Sequence, residues 1–367
     1  MNFVSGVKDC WYLIRAQEWW HYKFPVALGV IYSLAWSQGI TSDKLILPTL
    51  LILMAGSALA IFASVFNDFI DMDQDRQAGK TTRLMKLSRG KRRLVVSLSF
   101  LLNAYVAYLL SNLTGAFVIF MSIWALYTAY SLPPVRLKER GALGVLTIAL
   151  GEHLLASLLA IYILVGLVNV QVPAFWLGAV LVWALCFGCR GIIWHQLDDL
   201  ENDLKSQCST FCVNIGFDRL KFLAERVLFP IEIIAYSVIL LSNFNGLSII
   251  LLSIYGITEY LRNRFSQANV IIASPAPNAR FVMFEYYQLY FPLSFLFAGL
   301  AYDAGFVNLI ALFCVLFSAP LAQNLLCWNS VRPRREAKPT KSRKELKMDK
   351  LKEKLKAETE KMELETK

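Results

Sequence analysis

Ten apolar stretches, each close to the length that crosses a bilayer, recur along this chain at approximately 24–41, 46–66, 94–111, 114–131, 145–168, 173–194, 222–242, 246–260, 286–302 and 306–327. A hydrocarbon core about 30 Å thick needs roughly 17–25 helical residues, and in lipid every backbone polar group must be satisfied inside the segment or a closed barrel. Runs of this length and spacing therefore predict an all-α polytopic transmembrane bundle. The 367 residues are 56% hydrophobic and 17% charged, above the roughly 45–50% apolar content of soluble domains. No soluble core accommodates so many such runs. The first ten residues lack a compact apolar region with a small-residue cleavage site, so span 1 is expected to act as the insertion signal.

Orientation follows from Lys and Arg, which cytoplasmic loops retain. The loop after the second span holds Arg76, Lys80, Arg83, Lys86, Arg89, Lys91, Arg92 and Arg93, and later loops on that side hold Arg136, Lys138, Arg140, Lys205, Arg219, Lys221, Arg262, Arg264 and Arg280. The opposite connections contain only Lys44. If all ten spans cross, both termini face the cytoplasm, and a bacterial inner (plasma) membrane is the expected location. The net charge of +10 does not point to nucleic acid, because residues 332–367 carry 14 Lys and Arg against 8 Asp and Glu. That segment reads as a charged cytoplasmic tail near anionic lipid, after a membrane domain over 1–331. The seven cysteines lie in spans or on the cytoplasmic side, where a disulfide framework is not expected.

Two acidic clusters carry the chemistry. In "NDFIDMDQD", residues 67–75, Asn67, Asp71 and Asp75 recur every four residues at the end of an apolar run, which sets them on one side of a helix. In "HQLDDLENDLKS", residues 195–206, His195, Asp199 and Asp203 repeat that spacing 128 residues later. Each cluster ends an even-numbered span and precedes basic residues, so the chain reads as an internal repeat of two aspartate-bearing halves. Aspartates often do no more than solvate a helix end, but carboxylates near a helix C-terminus oppose its dipole. Paired oxygen-rich faces suit Mg²⁺, which commonly bridges a few carboxylates to substrate phosphates. Nearby cations, among them Arg83 and Lys205, can bind the outer phosphate oxygens. A charged site opening into an apolar bundle fits a substrate with a charged head and a long apolar tail, such as a polyprenyl diphosphate.

At these residues the chain resembles the UbiA-type intramembrane prenyltransferase superfamily. Asn67-x-x-x-Asp71-x-x-x-Asp75 is similar to its first aspartate-rich motif, Asp199-x-x-x-Asp203 to its second, and "YSLPPVRLKER", Tyr130 to Arg140, to its intervening segment. The resemblance implies a bundle, usually of nine helices, with a central cavity and a cytoplasmic polar cap holding two Mg²⁺ ions and diphosphate. Set beside the ten runs, it gives nine or ten helices. It further implies that Asn67, Asp71, Asp75, Asp199 and Asp203 form the metal site, the four aspartates being catalytic. Asn67, Arg136 and Lys138 would serve the diphosphate. Arg83-Leu84-Met85-Lys86, Gln207 and His195 depart from patterns common in quinone and haem prenyltransferases.

The implied reaction is Mg²⁺-assisted ionisation of the allylic C–O bond, followed by prenyl transfer to a lipophilic or aromatic acceptor. A terpene cyclase would capture the same cation internally, and a diphosphate-lipid transporter would cleave no bond. Membrane lipids are the expected surroundings, with no nucleic acid and no obligate protein partner. Three further polar residues fall inside apolar runs: Glu152 and His153 in "ALGEHLLASLL", and Arg190, nine residues before Asp199. A charge there is costly unless it is paired or serves a site.

Overall fold

A computed structural model describes residues 3–322 except 78, 80, 206–209, 266–267 and 320, with backbone alone at 3–7, 77, 202 and 205. The tail over 332–367, Gln207, Cys208, Cys327 and the side chain of Lys205 lie outside the described residues. The chain folds as α1 (Phe3–Leu13), α2 (Ala16–Ser37), α3 (Ser42–Ile70), a short α4 (Met72–Gln77), α5 (Arg89–Leu110) and α6 (Thr114–Ser131). A rod follows, made of α7 (Ala142–Ala149), a π turn at Leu150–Leu154 and α8 (Leu155–Leu167). Next come α9 (Ala174–Lys205), α10 (Phe211–Ile215), α11 (Phe217–Phe222), α12 (Phe229–Ser242) and α13 (Gly246–Phe265). Strands β1 (Asn269–Ile271) and β2 (Ala279–Phe281) precede α14 (Phe291–Gly299) and α15 (Phe306–Leu316).

Among the described residues, five helices are long and apolar enough to cross a membrane: Ser42–Ile70, Arg89–Leu110, Thr114–Ser131, Ala142–Leu167 and Ala174–Glu201. They correspond to the sequence runs from 46 to 194. The first run differs from expectation. Its helix, α2, starts at Ala16 and takes in Glu18, His21 and Lys23 before a buried stretch from Phe24 to Ala35. That stretch packs against α3, α8 and α14, as a helix apolar on all sides does when it runs through the middle of a bundle.

Helix α5 shows the opposite partition. Leu94, Leu98, Leu101, Tyr105 and Tyr108 point outward, while Ser99 and Asn103 are buried. Asn103 Nδ2 donates to the carbonyls of Ala58 and Ser99, both at 2.9 Å, which fastens α5 to α3. Where lipid is as apolar as the core, small and polar contacts of this kind supply helix association. Close approach also matters between α9 and α7, where a Cβ at Gly188 would stand 2.9 Å from Ala149 Cα and from His153 Cδ2.

The second half is tied together by a fully buried ion pair. Arg190 on α9 donates through Nε and Nη2 to the two carboxylate oxygens of Glu232 on α12, at 2.6 and 2.7 Å, with both side chains 0% exposed. Its remaining donors reach the carbonyls of Ile272 at 2.9 Å and Val282 at 3.2 Å. Tyr287 Oη donates to Glu232 Oε1 at 3.0 Å. The carbonyls belong to the segment carrying β1 and β2, which pair in parallel with Asn269 opposite Ala279 and Ile271 opposite Phe281. From sequence, Arg262, Arg264 and Arg280 are expected in a basic cytoplasmic loop. Instead Arg262 and Arg280 are engaged by Glu259 and Glu285. Burial works against the Arg280 charge, but hydrogen bonding and attraction from Glu259 and Glu285 outweigh it and hold the group above its ordinary value.

A distant carboxylate stabilises the start of α3. Asp303, in the turn after α14, accepts from the backbone N–H of Ser42 at 2.7 Å and of Gly305 at 2.8 Å. Hydrogen bonds from the Ser42 backbone, the Ser42 side chain and the Gly305 backbone lower its pKa below the ordinary 3.8. A depressed carboxylate stabilises the fold above its unfolded pKa, and that contribution disappears as pH falls through the folded value. Acid should therefore reduce the thermal stability of detergent-solubilised protein more in the wild type than in Asp303→Asn, measured from pH 5 downward.

Removing one partner of the central pair leaves an uncompensated buried charge, a loss of about 3–5 kcal/mol. Arg190→Met should show it as a large fall in melting temperature. Replacing both partners, in Arg190→Met/Glu232→Leu, should recover most of the loss; a double variant as unstable as the single one would show that the charge pairing is not what matters.

Candidate functional site

The first cluster sits where α3 ends. Asp71 is the residue after its last turn, its N–H donating to the Asn67 carbonyl at 3.0 Å, and the Asp75 N–H donates to the Asp71 carbonyl at 2.9 Å. The four-residue ladder thus continues across the break into α4. Asn67 Oδ1 accepts from Ser131 Oγ at 3.0 Å and from Lys138 Nζ at 3.1 Å. Asp71 Oδ1 accepts from Arg136 Nη2 at 3.0 Å, and its Oδ2 from Lys138 Nζ. Arg136 also donates to Gln74 and, at 2.5 Å, to Glu139. Its backbone is left-handed, with φ of 40°, a conformation that costs a side-chain-bearing residue energy and turns the Arg136–Lys138 segment back over α3. The "PPVRLK" cations and the first cluster are therefore in contact.

The other predicted residues are placed differently. Arg83 does not contact Asp71; it bonds Glu18 at 2.7 Å and lies 4.5 Å above the Tyr12 ring. Glu18 is shared with Arg15, which reaches Asp68 at 3.3 Å. A cation network therefore links the entry of α2 to the first cluster, through residues that the sequence reading passed over. The readable signal was Asp68, a fourth acidic residue off the Asn67–Asp71–Asp75 face. Asp199 and Asp203 occupy the last turns of α9.

Several contacts bring the two clusters to one end of the bundle. Gly141, just after the "YSLPPVRLKER" segment, forms a parallel β-bridge with Thr210, just after the second cluster. Gln196 on α9 accepts from the Cys212 N–H at 3.1 Å, which seats α10 beside the cluster. Glu152 lies between the two clusters: Tyr130 is within electrostatic reach of both Asp71 and Glu152, and His195 within that of Glu152, Asp198 and Asp199.

Below this end α2, α3, α6 and the α7–α8 rod line a mostly apolar, partly open pocket. Its lining extends to Ser64 on α3 and Tyr127 on α6, one helical turn from Asn67 and Ser131. A crevice of about the size of a water molecule adjoins it, toward Trp183 and Phe187 on α9. Lys23 and Glu152 form an ion pair and line both spaces. Lys23 also escaped the sequence reading, because it sits one residue before the first apolar run.

A profile of the UbiA prenyltransferase family matches residues 24–270, which contain both clusters and the segment between them. The chain belongs to this family. Its fold is similar to that of a UbiA homologue from Archaeoglobus fulgidus bound to GPP and Mg²⁺, with a TM-score of 0.52, 19% identity and coverage of 86% of this chain and 99% of that one. The homologue bound to Cd²⁺ gives 0.51, 19%, 80% and 99%. A structure concerning digeranylgeranylglyceryl phosphate synthase in membranes gives 0.50, 17%, 82% and 99%. At these identities the likeness is one of fold. No curated protein sequence matches the chain. With the five apolar helices, membership of this family makes the chain an integral membrane protein.

Among the described residues no three His, Cys, Asp or Glu side chains converge into a ready-made metal cage. The donor chemistry of the clusters nonetheless fits a hard cation, since Asn67, Asp71, Asp75, Asp199 and Asp203 all offer oxygen. Both oxygens of Asp71 are held by cationic side chains. A metal ion arriving there competes with them. Lys138→Ala removes one competitor, so Mn²⁺ should bind the substrate-free protein several-fold more tightly, read by electron paramagnetic resonance titration. Unchanged affinity would mean that Lys138 does not guard the carboxylate.

Proposed function

We propose that this protein is a Mg²⁺-dependent membrane prenyltransferase that ionises a polyprenyl diphosphate and transfers the prenyl group to a lipophilic or aromatic acceptor. The observation that carries this reading is the meeting of Asn67, Asp71, Arg136 and Lys138 one turn beyond an apolar pocket. Charge gathers where a diphosphate head would lie, and grease where its tail would lie. The A. fulgidus homologue of similar fold, bound to GPP and Mg²⁺, supports the same substrate class here.

In this reading Asn67, Asp71, Asp75, Asp199 and Asp203 hold Mg²⁺, which when bound supplies positive charge to the departing diphosphate. Arg136 and Lys138, released from Asp71, turn their donors to the phosphate oxygens, and Lys205 lies in the second-cluster helix near the same end. Arg83 acts from farther away, by fixing the α2 entry through Glu18. The pocket walls keep water from the allylic cation, and pre-set charges at the mouth stabilise the leaving group in a site of low dielectric. The polar end is read as a cytoplasmic cap of a nine- or ten-helix domain over 1–331, built from two aspartate-bearing halves in a bacterial plasma membrane. Residues 332–367 are read as a charged cytoplasmic tail.

Loss of one preorganised electrostatic group at an active site typically costs about 10²–10³-fold in turnover. Asp71→Ala and Asp199→Ala should each lower Mg²⁺-dependent consumption of labelled geranyl, farnesyl or geranylgeranyl diphosphate by at least about 10²-fold. Excess chelator should abolish it in the wild type. Undiminished turnover in chelator would reject the metal role, and binding without release of diphosphate would identify a carrier. Product mass separates transfer from cyclisation.

A further inference from the structure

Helix α5 carries charge at one end and apolar side chains along its outward face. Its first five residues include Arg89, Lys91, Arg92 and Arg93, and its first turn holds no acidic residue. Arg92 turns inward and donates to the Leu87 carbonyl and to Met72 Sδ, both at 2.8 Å. Arg89, Lys91 and Arg93 are exposed, and among the described residues no carboxylate pairs with them. Other cations of the bundle are held by acids: Arg83 by Glu18, Arg136 and Lys138 by Asp71, Arg280 by Glu259 and Glu285. The helix itself does not favour the three, because positive charge opposes the dipole at a helix N-terminus. Leu94, Leu98, Leu101, Tyr105 and Tyr108, all exposed, follow at steps of four, three, four and three residues, which keeps them in one stripe. Lys91, three residues before Leu94, crowns that stripe; Arg93 borders it, and Arg89 stands one turn beyond Arg93. The helix is long and apolar enough to cross a membrane, so the cations meet one headgroup layer while Tyr105 and Tyr108 approach the other, where tyrosines are enriched.

We propose that this face of α5 holds an anionic phospholipid, its headgroup on Arg89, Lys91 and Arg93 and its acyl chains along Leu94, Leu98 and Leu101. The headgroup phosphate supplies the acidic partner that the protein does not, and the two guanidinium groups match its oxygens in geometry as well as charge. A zwitterionic lipid brings a cation of its own beside the phosphate and offsets less of the patch. Anionic headgroups are drawn to such juxtamembrane basic clusters. An apolar stripe of this spacing also suits a second copy of the chain, but facing α5 helices would bring two sets of unpaired cations together. Charge therefore favours the lipid. The contact also bears on the fold near the first acidic cluster, because Arg92 ties the same end of α5 to Met72, the residue after Asp71. It is independent of the prenyl-transfer reading.

The test is native mass spectrometry of the full chain released from nanodiscs of equimolar phosphatidylglycerol and phosphatidylcholine. The wild type should retain phosphatidylglycerol over phosphatidylcholine by at least about fivefold, the effect of a single cation near an anionic surface. Arg89→Gln/Lys91→Gln/Arg93→Gln should bring the retained ratio close to that of the disc. Arg219→Gln/Lys221→Gln/Arg226→Gln removes as much charge from α11 and the turn after it, and should keep most of the enrichment. Lys91→Gln alone leaves the basic loop otherwise intact and keeps the test open if the first triple variant fails to insert; it should lower the ratio, and Lys221→Gln should not. Inorganic phosphate should fail to displace the lipid, since it has no chains to lay on the leucines. Equal loss in the two triple variants, or in the two single ones, would reduce the preference to total charge and overturn the site. An unenriched wild type would do the same, as would displacement by phosphate. A dimer that Leu98→Ala/Leu101→Ala breaks apart would give the face to a second copy and likewise overturn it.

Discussion

Arg190 and Glu232 meet where neither water nor lipid headgroups can solvate them, and most of the second half of the molecule is arranged around that meeting. Two ions taken out of water cost several kcal/mol each unless their remaining hydrogen-bonding capacity is met. Here the guanidinium is met by a bidentate carboxylate and two backbone carbonyls, and the carboxylate by a tyrosine hydroxyl. The partners come from α9, α12 and the segment from 269 to 287. Satisfying one charge therefore fixes three parts of the chain. Because Arg190 lies on the same helix as Asp199 and Asp203, the buried pair also sets the height and rotation at which the second cluster is presented.

The charged pairs in this bundle differ in how far they are withdrawn from solvent. Arg190 with Glu232 is closed on all sides and has no site left for a ligand. Lys23 with Glu152 lines the apolar pocket and keeps about a quarter of its side-chain surface exposed. Asp71 with Arg136 and Lys138 lies at the polar end, each side chain between 13% and 16% exposed. A pair in the closed setting can only hold helices together. One that stays partly exposed is desolvated enough to be strong and exposed enough to exchange a partner, which is the condition for a group that handles a proton or a phosphate.

Much of this was legible in the sequence because lipid permits few solutions. Apolar run length located the five helices long and apolar enough to cross a membrane, and the four-residue spacing of Asn67, Asp71 and Asp75 survives as a backbone ladder even where α3 breaks. Lys138, assigned from the "YSLPPVRLKER" segment to diphosphate, contacts Asn67 and Asp71 in the structure. The misses share a cause: hydropathy counts charges against a span and cannot see that they are paired. So α2 was begun too late, at 24, and its Arg15, Glu18 and Lys23 went unread. Arg83, which the sequence assigns to diphosphate binding, pairs with Glu18 in the structure, a contact that proximity in sequence does not reveal. The strand pair at 269–281 was illegible because three-residue strands leave no periodicity, and its purpose, to offer carbonyls to Arg190, appears only once the helices are packed.

The resting arrangement at the first cluster has a consequence for order of binding. Asp71 is neutralised by two cations that the same segment would turn toward a diphosphate, so neither the carboxylate nor the cations face the pocket with their charge uncompensated. A bare metal ion must displace Arg136 and Lys138 without giving them a new partner, and a bare diphosphate must take them from Asp71 and leave that carboxylate exposed. Under the proposed function, metal and diphosphate arriving together would exchange both sets at once, the carboxylate to the metal and the cations to the phosphate. The desolvation penalty that makes an unpaired ion costly in a bundle thus favours joint over separate binding, and it does so through side chains already in contact across α3 and the segment from 136 to 138.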